Sequence, residues 1–81
     1  MGEIDLIAKR GRLVRFIEVK ARANADTALN AIGQKQKSRI QTAAEAFLIH
    51  HPALQMCDIR FDVSVVTGPL RVKILADAWR T

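Results

Sequence analysis

The chain has 81 residues, 49% of them hydrophobic, and its 13 Lys and Arg outnumber 8 Asp and Glu for a net charge of +5. That length holds one small domain, near the size where a single core only just supports a fold, and the apolar content excludes a disordered chain. No apolar run could span a bilayer, no signal-peptide pattern precedes the first strand, and the single Cys57 closes no internal disulfide, so a cytoplasmic protein is expected.

Gly2 to Arg22 reads as a hairpin. Ile4, Leu6 and Ala8 alternate with Glu3, Asp5 and Ile7, Leu13 to Val19 forms a second β-rich run, and Arg10-Gly11 supplies the turn. Side chains alternate faces along a strand, which groups Glu18 with Lys20 and Glu3 with Asp5. With Ala8 opposite Leu13, Phe16 falls opposite Asp5 and Glu18 opposite Glu3. Asp5 and Glu18 then become diagonal neighbours about 7–8 Å apart at the backbone, within reach of one ion. Such a cluster repels itself without an ion or a Lys, and its hard oxygen donors suit Mg²⁺ or Mn²⁺. An ion beside Lys20 suits phosphodiester hydrolysis: it polarises a phosphoryl oxygen and lowers the pKa of a bound water. The ammonium holds that water or meets the growing negative charge. Ordinary strand-edge salt bridging of Glu18 with Lys20 or Arg22 is the plain alternative.

After Ala21 an irregular loop is expected, with Asn24 and Asp26 as turn and cap formers and Asp26 capping a short helical turn through Ala31. Leaving the carboxyl end of the Glu-Val-Lys strand, this segment is placed to close over the site. Gly33 to His50 is helical: Ile40, Ala43, Ala44, Phe47 and Leu48 recur at three- and four-residue steps as one apolar stripe. Lys35, Lys37 and Arg39 crowd its first turns, where cations oppose the helix dipole at a cost of a few tenths to about 1 kcal/mol each. A phosphate chain met by Lys35 and Gln36 accounts for them, and simple solvation is the alternative. His50-His51-Pro52 ends the helix, since Pro cannot continue it.

Asp58 to Thr67 alternates Ile59, Phe61, Val63 and Val65 with Arg60, Asp62, Ser64 and Val66, the pattern of a strand at or next to the sheet centre. Asp62 either lies close to the site or sits in a structural ion pair with Arg60 or Arg22, and the structural role is favoured. Gly68-Pro69 makes a turn, Leu70 to Leu75 another strand, and Asp77-Ala78-Trp79 a terminal turn or short helix whose Trp plugs the core edge. The cationic excess makes a polyanion the natural partner by counterion release.

Asp5 and, after the hairpin, Glu18-Val19-Lys20 resemble the signature of the PD-(D/E)XK nuclease superfamily. Gly2-Glu3-Ile4-Asp5-Leu6-Ile7-Ala8 with Phe16-Ile17-Glu18-Val19-Lys20-Ala21-Arg22 resembles the YraN-like family of small bacterial proteins described as predicted endonucleases. Lys35-Gln36, Arg60-Phe61-Asp62-Val63 and Asp77-Ala78-Trp79, where the family tends to have Asp-Ala-Phe, extend the resemblance along the whole chain. An Asp followed by Glu-x-Lys is a weak signal alone; Gly-Glu-Ile-Asp and Glu-Val-Lys at hairpin spacing are specific. The resemblance implies one domain over 1–81 with a restriction-endonuclease-like three-layer α/β core, a mixed sheet flanked by helices, N-terminally truncated because family members carry a helix and strand ahead of Gly-Glu-Ile-Asp.

It further implies a metal-dependent endonuclease that hydrolyses nucleic acid, DNA rather than RNA and of branched or structured form. Asp5 and Glu18 would hold Mg²⁺ or Mn²⁺ with the Val19 carbonyl, and Glu3 would be an outer or second-ion ligand. Lys20 would activate the attacking water, and Arg22, Lys35, Gln36 and Lys37 would meet phosphates. The alternative is a noncatalytic nucleic-acid-binding or protein-assembly module that keeps the fold. An unpaired sheet edge implies pairing between chains as a homodimer.

Overall fold

A computed structural model describes residues 4–80. Strand β1 is Leu6–Arg10, β2 Leu13–Ala21, β3 Asp58–Gly68 and β4 Arg71–Trp79; helix α1 is Ala25–Asn30, α2 Gln34–Ile49, and a short 3-10 turn covers Pro52–Leu54. The sheet order is β1-β2-β3-β4, antiparallel at both edges and parallel between β2 and β3. A parallel pair needs a crossover, and α1 with α2 supplies it.

The hairpin pairs Arg10 with Leu13, Ala8 with Arg15, Ile7 with Phe16 and Leu6 with Ile17. Its loop is therefore Gly11-Arg12, with Gly11 at φ 58 and no positive φ at Arg12, the pattern of a type II′ turn with Gly first. This register lies two residues from the one expected with Ala8 opposite Leu13. A slip of two preserves which residues share a face, whereas a slip of one would have inverted them.

The parallel register sets Phe16 beside Phe61, Glu18 beside Val63 and Lys20 beside Val65. The face carrying these residues holds the core: Val14, Phe16, Phe61, Val63 and Val65 pack with Ala28, Ile32, Ile40 and Ala44 from the helical crossover. Fully burying each large apolar side chain contributes roughly 1.5–3 kcal/mol. Phe16 stacks on Phe61 with ring centroids 5.7 Å apart and meets Phe47 edge-on at 5.9 Å. Trp79 closes the cluster by stacking on Phe61 at 5.2 Å, the expected edge plug. Among the described residues both helices lie against this one face.

Helix α1 is capped by Asn24, whose Oδ1 accepts from the Thr27 amide at 2.8 Å, while Asp26 occupies the first turn where Asp was expected to cap. Helix α2 starts after Gly33 with no side-chain cap and no acid in its first turn.

On the other face Asp62 is fully buried. Arg15 Nε donates to it at 2.6 Å, Arg60 Nε at 2.8 Å and the Asp77 amide at 2.8 Å. The structural reading of Asp62 therefore holds with Arg60, and Arg15 stands where Arg22 was the other candidate; Arg22 Nη1 instead donates to the Ala21 carbonyl at 2.8 Å. Burial pushes the Asp62 carboxyl up, but Arg60, the Asp77 amide and Arg15 outweigh it and hold it below its ordinary value. The Asp77 amide reaches Asp62 because Asp77 sits at φ 55, in a register irregularity between the Phe61 and Val63 pairings. Asp77-Ala78-Trp79 is accordingly the bulged end of β4, not the turn or short helix expected.

Taken together, the described residues form an α/β domain with a four-stranded mixed sheet and two helices, compatible with a nuclease-like core. None of its helices is long and apolar enough to cross a membrane.

Candidate functional site

The strand face that builds the core runs out into charge at its carboxyl end. Positions 14 and 16 of β2 are apolar and fully buried; positions 18 and 20, next on the same face, are Glu and Lys. Glu18 is only 5% exposed, and Lys20 Nζ lies 3.2 Å from its Oε2. Continuing the hairpin register by one residue sets Asp5 across from Glu18, directly opposite where a diagonal relation was expected. Asp5 Oδ2 accepts from the Val19 amide at 2.9 Å. A strand residue sends its N–H and C=O toward the same edge, so the Val19 carbonyl leaves on the Asp5 side.

Burial is the main force raising the Glu18 carboxyl above its ordinary value. Asp5 adds to it through contact and charge, and Lys20 opposes it. The carboxylate is thus held in a place that disfavours its charge, with one ammonium as partial relief.

Gln36, in the first turn of α2, completes the group. Its Nε2 donates to Glu18 Oε2, and its Oε1 accepts from Lys20 Nζ at 3.5 Å. Oε2 of Glu18 therefore receives both neighbours, while Oε1 is buried without a hydrogen-bond partner. A buried carboxylate oxygen left unpaired costs roughly 1–3 kcal/mol or more. The donor set that surrounds it, two carboxylates and a backbone carbonyl, is hard oxygen and fits Mg²⁺ or Mn²⁺. Among the described residues no three His, Cys, Asp or Glu side chains cluster, and the acids they contribute to the site are Asp5 and Glu18. Glu3, expected as an outer ligand, lies outside the described residues.

The expected phosphate contacts have different surroundings. Arg22 and Lys35 are exposed, Lys37 Nζ sits 5.9 Å from the centroid of the Trp79 ring, and Gln36 is turned to Glu18 and Lys20. Lys73, not singled out from sequence, enters by topology: Lys20 pairs with Val65 and Val65 with Lys73, so the two lysines share a row about 9–10 Å apart, two strand spacings. No local pattern marks Lys73 or the Gln36 contact, because each depends on pairing between distant segments.

The fold and this group define a small α/β domain of nuclease-like architecture carrying an Asp, Glu and Lys cluster at the carboxyl end of a central strand. The chain belongs to uncharacterised protein family UPF0102, the YraN family, whose profile matches residues 1–66. It is 48% identical over 80 residues to a UPF0102 protein of Paramagnetospirillum magneticum, covering 98% of this chain and 61% of that protein. A UPF0102 protein of Rhodopseudomonas palustris is 52% identical over 65 residues, 80% of this chain and 50% of its own length. One from Parvibaculum lavamentivorans is 42% identical over 79 residues, 98% and 59%. The chain thus spans between half and about three-fifths of the curated relatives it matches.

Proposed function

We propose that the domain is a Mg²⁺- or Mn²⁺-dependent endonuclease acting on nucleic acid, DNA in preference to RNA, in the cytoplasm. The observation that carries the reading is the buried, unpartnered Oε1 of Glu18 beside a second carboxylate. An oxygen so placed is stabilised by a cation. Asp5, Glu18 and the Val19 carbonyl would hold the ion, which when bound polarises a phosphoryl oxygen and lowers the pKa of a coordinated water. Lys20, fixed between Glu18 and Gln36, would orient the attacking water and meet negative charge as it develops. Lys73 extends the cationic surface beside it, and the exposed Arg22 and Lys35 offer further phosphate contacts. The outer edge of β1, unpaired among the described residues and carrying exposed Leu6 and Ile7, is where two chains would pair; sedimentation showing only monomer at high concentration rejects that part.

The test is cleavage of duplex, branched and single-stranded DNA and of RNA, with Mg²⁺ or Mn²⁺ titrated, comparing wild type with Glu18→Gln. Cleavage abolished by the substitution supports the reading. Cleavage that survives it points to a contaminant and refutes the site; metal-independent binding without cleavage refutes the reading and favours the noncatalytic module.

A further inference from the structure

We infer that Gln36 is a positioning residue that holds Glu18 and Lys20 in register as one unit, so that a divalent ion is left a single oxygen of Glu18. The inference rests on the metal-site reading above and assigns Gln36 a different task from phosphate contact.

The primary amide has one acceptor and two donor hydrogens, on opposite ends of a planar group. At this position each end has a partner of matching sign: Nε2 donates to the Glu18 carboxylate and Oε1 accepts from the Lys20 ammonium at 3.5 Å. The amide orientation is thereby fixed, since the reverse would set donor against ammonium and acceptor against carboxylate. Lys20 also reaches Glu18 Oε2 at 3.2 Å, and the three side chains close a triangle. With both contacts on Oε2, the free oxygen is Oε1.

Gln36 brings this about from a separate element. It lies in the first turn of α2, a helix anchored to the sheet through Ile40 and Ala44, 18 residues from Glu18 along the chain. The anchored helix fixes where the amide stands, and the amide fixes the carboxylate rotamer. Partners of this kind, which touch ligands and not the ion, typically change metal affinity 10–100-fold when removed. Neither Lys35, exposed, nor Lys37, over the Trp79 ring, substitutes for it.

The test replaces Gln36 with Met, which keeps length and apolar bulk but neither hydrogen bond. Mn²⁺ is titrated calorimetrically into wild type and Q36M, and the Lys20 ammonium is followed by ¹⁵N NMR without metal. The wild type shows a protected Lys20 Nζ signal and binds Mn²⁺. Q36M, folded by circular dichroism, loses that signal and binds Mn²⁺ at least about tenfold more weakly. Should Q36M misfold, Gln36→Leu, which also lacks both hydrogen bonds, is read the same way. Wild-type Mn²⁺ affinity retained in Q36M overturns the role of Gln36 and leaves the metal site standing. A wild type that binds no Mn²⁺ overturns the metal site and the inference together.

Discussion

Replacing Glu18 by Gln in the metal-free protein separates a poised metal ligand from a structural salt bridge, because the two roles give opposite signs. Glu18 is 5% exposed, its Oε1 lacks a partner, and leaving such an oxygen unpaired costs roughly 1–3 kcal/mol. The ion pair with Lys20, whose side chain is 16% exposed, offsets part of this, and Glu18→Gln keeps an oxygen for Lys20, which also stays hydrogen-bonded to Gln36. Gln is nearly isosteric and uncharged; it accepts from Gln36 as Glu18 does and turns its own N–H groups toward Asp5, where a carboxylate repels. The expected result in chelator at pH 7 is a gain of about 1 kcal/mol, or about 4–8 °C in Tm for a domain of this size.

The pH dependence has a definite sign. A carboxyl raised on folding keeps its proton longer in the native state than in the unfolded chain, so wild-type stability is full below the ordinary value of 4.5 and falls as pH rises through the raised one. The advantage of Glu18→Gln should therefore be small at pH 4 and grow toward pH 7. Urea unfolding at both pH values measures it. A loss of 1 kcal/mol or more at pH 7 would mean that the carboxylate stabilises the fold through Lys20, and the argument for an ion would fail.

The Asp62 network carries the opposite sign. Asp62→Asn leaves Arg15 and Arg60, 26% and 31% exposed, without their carboxylate; discounted for that exposure, the loss is about 2–3 kcal/mol in urea unfolding. Its lowered carboxyl contributes stability that is present above the ordinary value of 3.8 and lost as pH falls through the folded one, so the wild type should lose more stability than Asp62→Asn in acid denaturation. Lys20→Met should cut cleavage roughly 10²–10⁴-fold while Mn²⁺ affinity, measured by calorimetry, is kept or tightened because a neighbouring cation is gone. Lys73→Glu should weaken DNA binding across all sequences and reduce the salt slope by about 1, with metal affinity unchanged.

Much of the sheet was legible because strand residues declare their faces by alternation. Phe61, Val63 and Val65 announced a buried face, although Ile59 ahead of them stays exposed, and the helix from Gly33 to His50 announced the stripe that covers it. The turn was harder: Arg10-Gly11 and Gly11-Arg12 are both plausible loops in sequence, and only the positive φ of Gly11 at the first loop position fixes the register. The grouping of Asp5, Glu18 and Lys20 was insensitive to this slip, since two residues restore the same face.

What stayed hidden depends on contacts between distant segments. Asp77 looks like a turn former, yet its amide is taken by Asp62, 15 residues away, which keeps the chain in the sheet as a bulge. Arg15 could be matched to Asp62 only once β2 and β3 were known to run parallel. Gln36 resembled one more polar residue in a basic helix start, and nothing local distinguishes an amide that meets phosphate from one that meets two side chains of a strand.

The most direct measurement is a Mn²⁺ titration of the ¹⁵N-labelled protein, reading which backbone amides broaden first. A Mn²⁺ ion held by Asp5, Glu18 and the Val19 carbonyl should broaden the amides of residues 5 and 18–20 at the lowest concentrations, and Glu18→Gln should abolish that pattern. First broadening at Asp26, Glu45 or Asp58 instead, or a Glu18→Gln variant that broadens just as wild type does, would contradict the site.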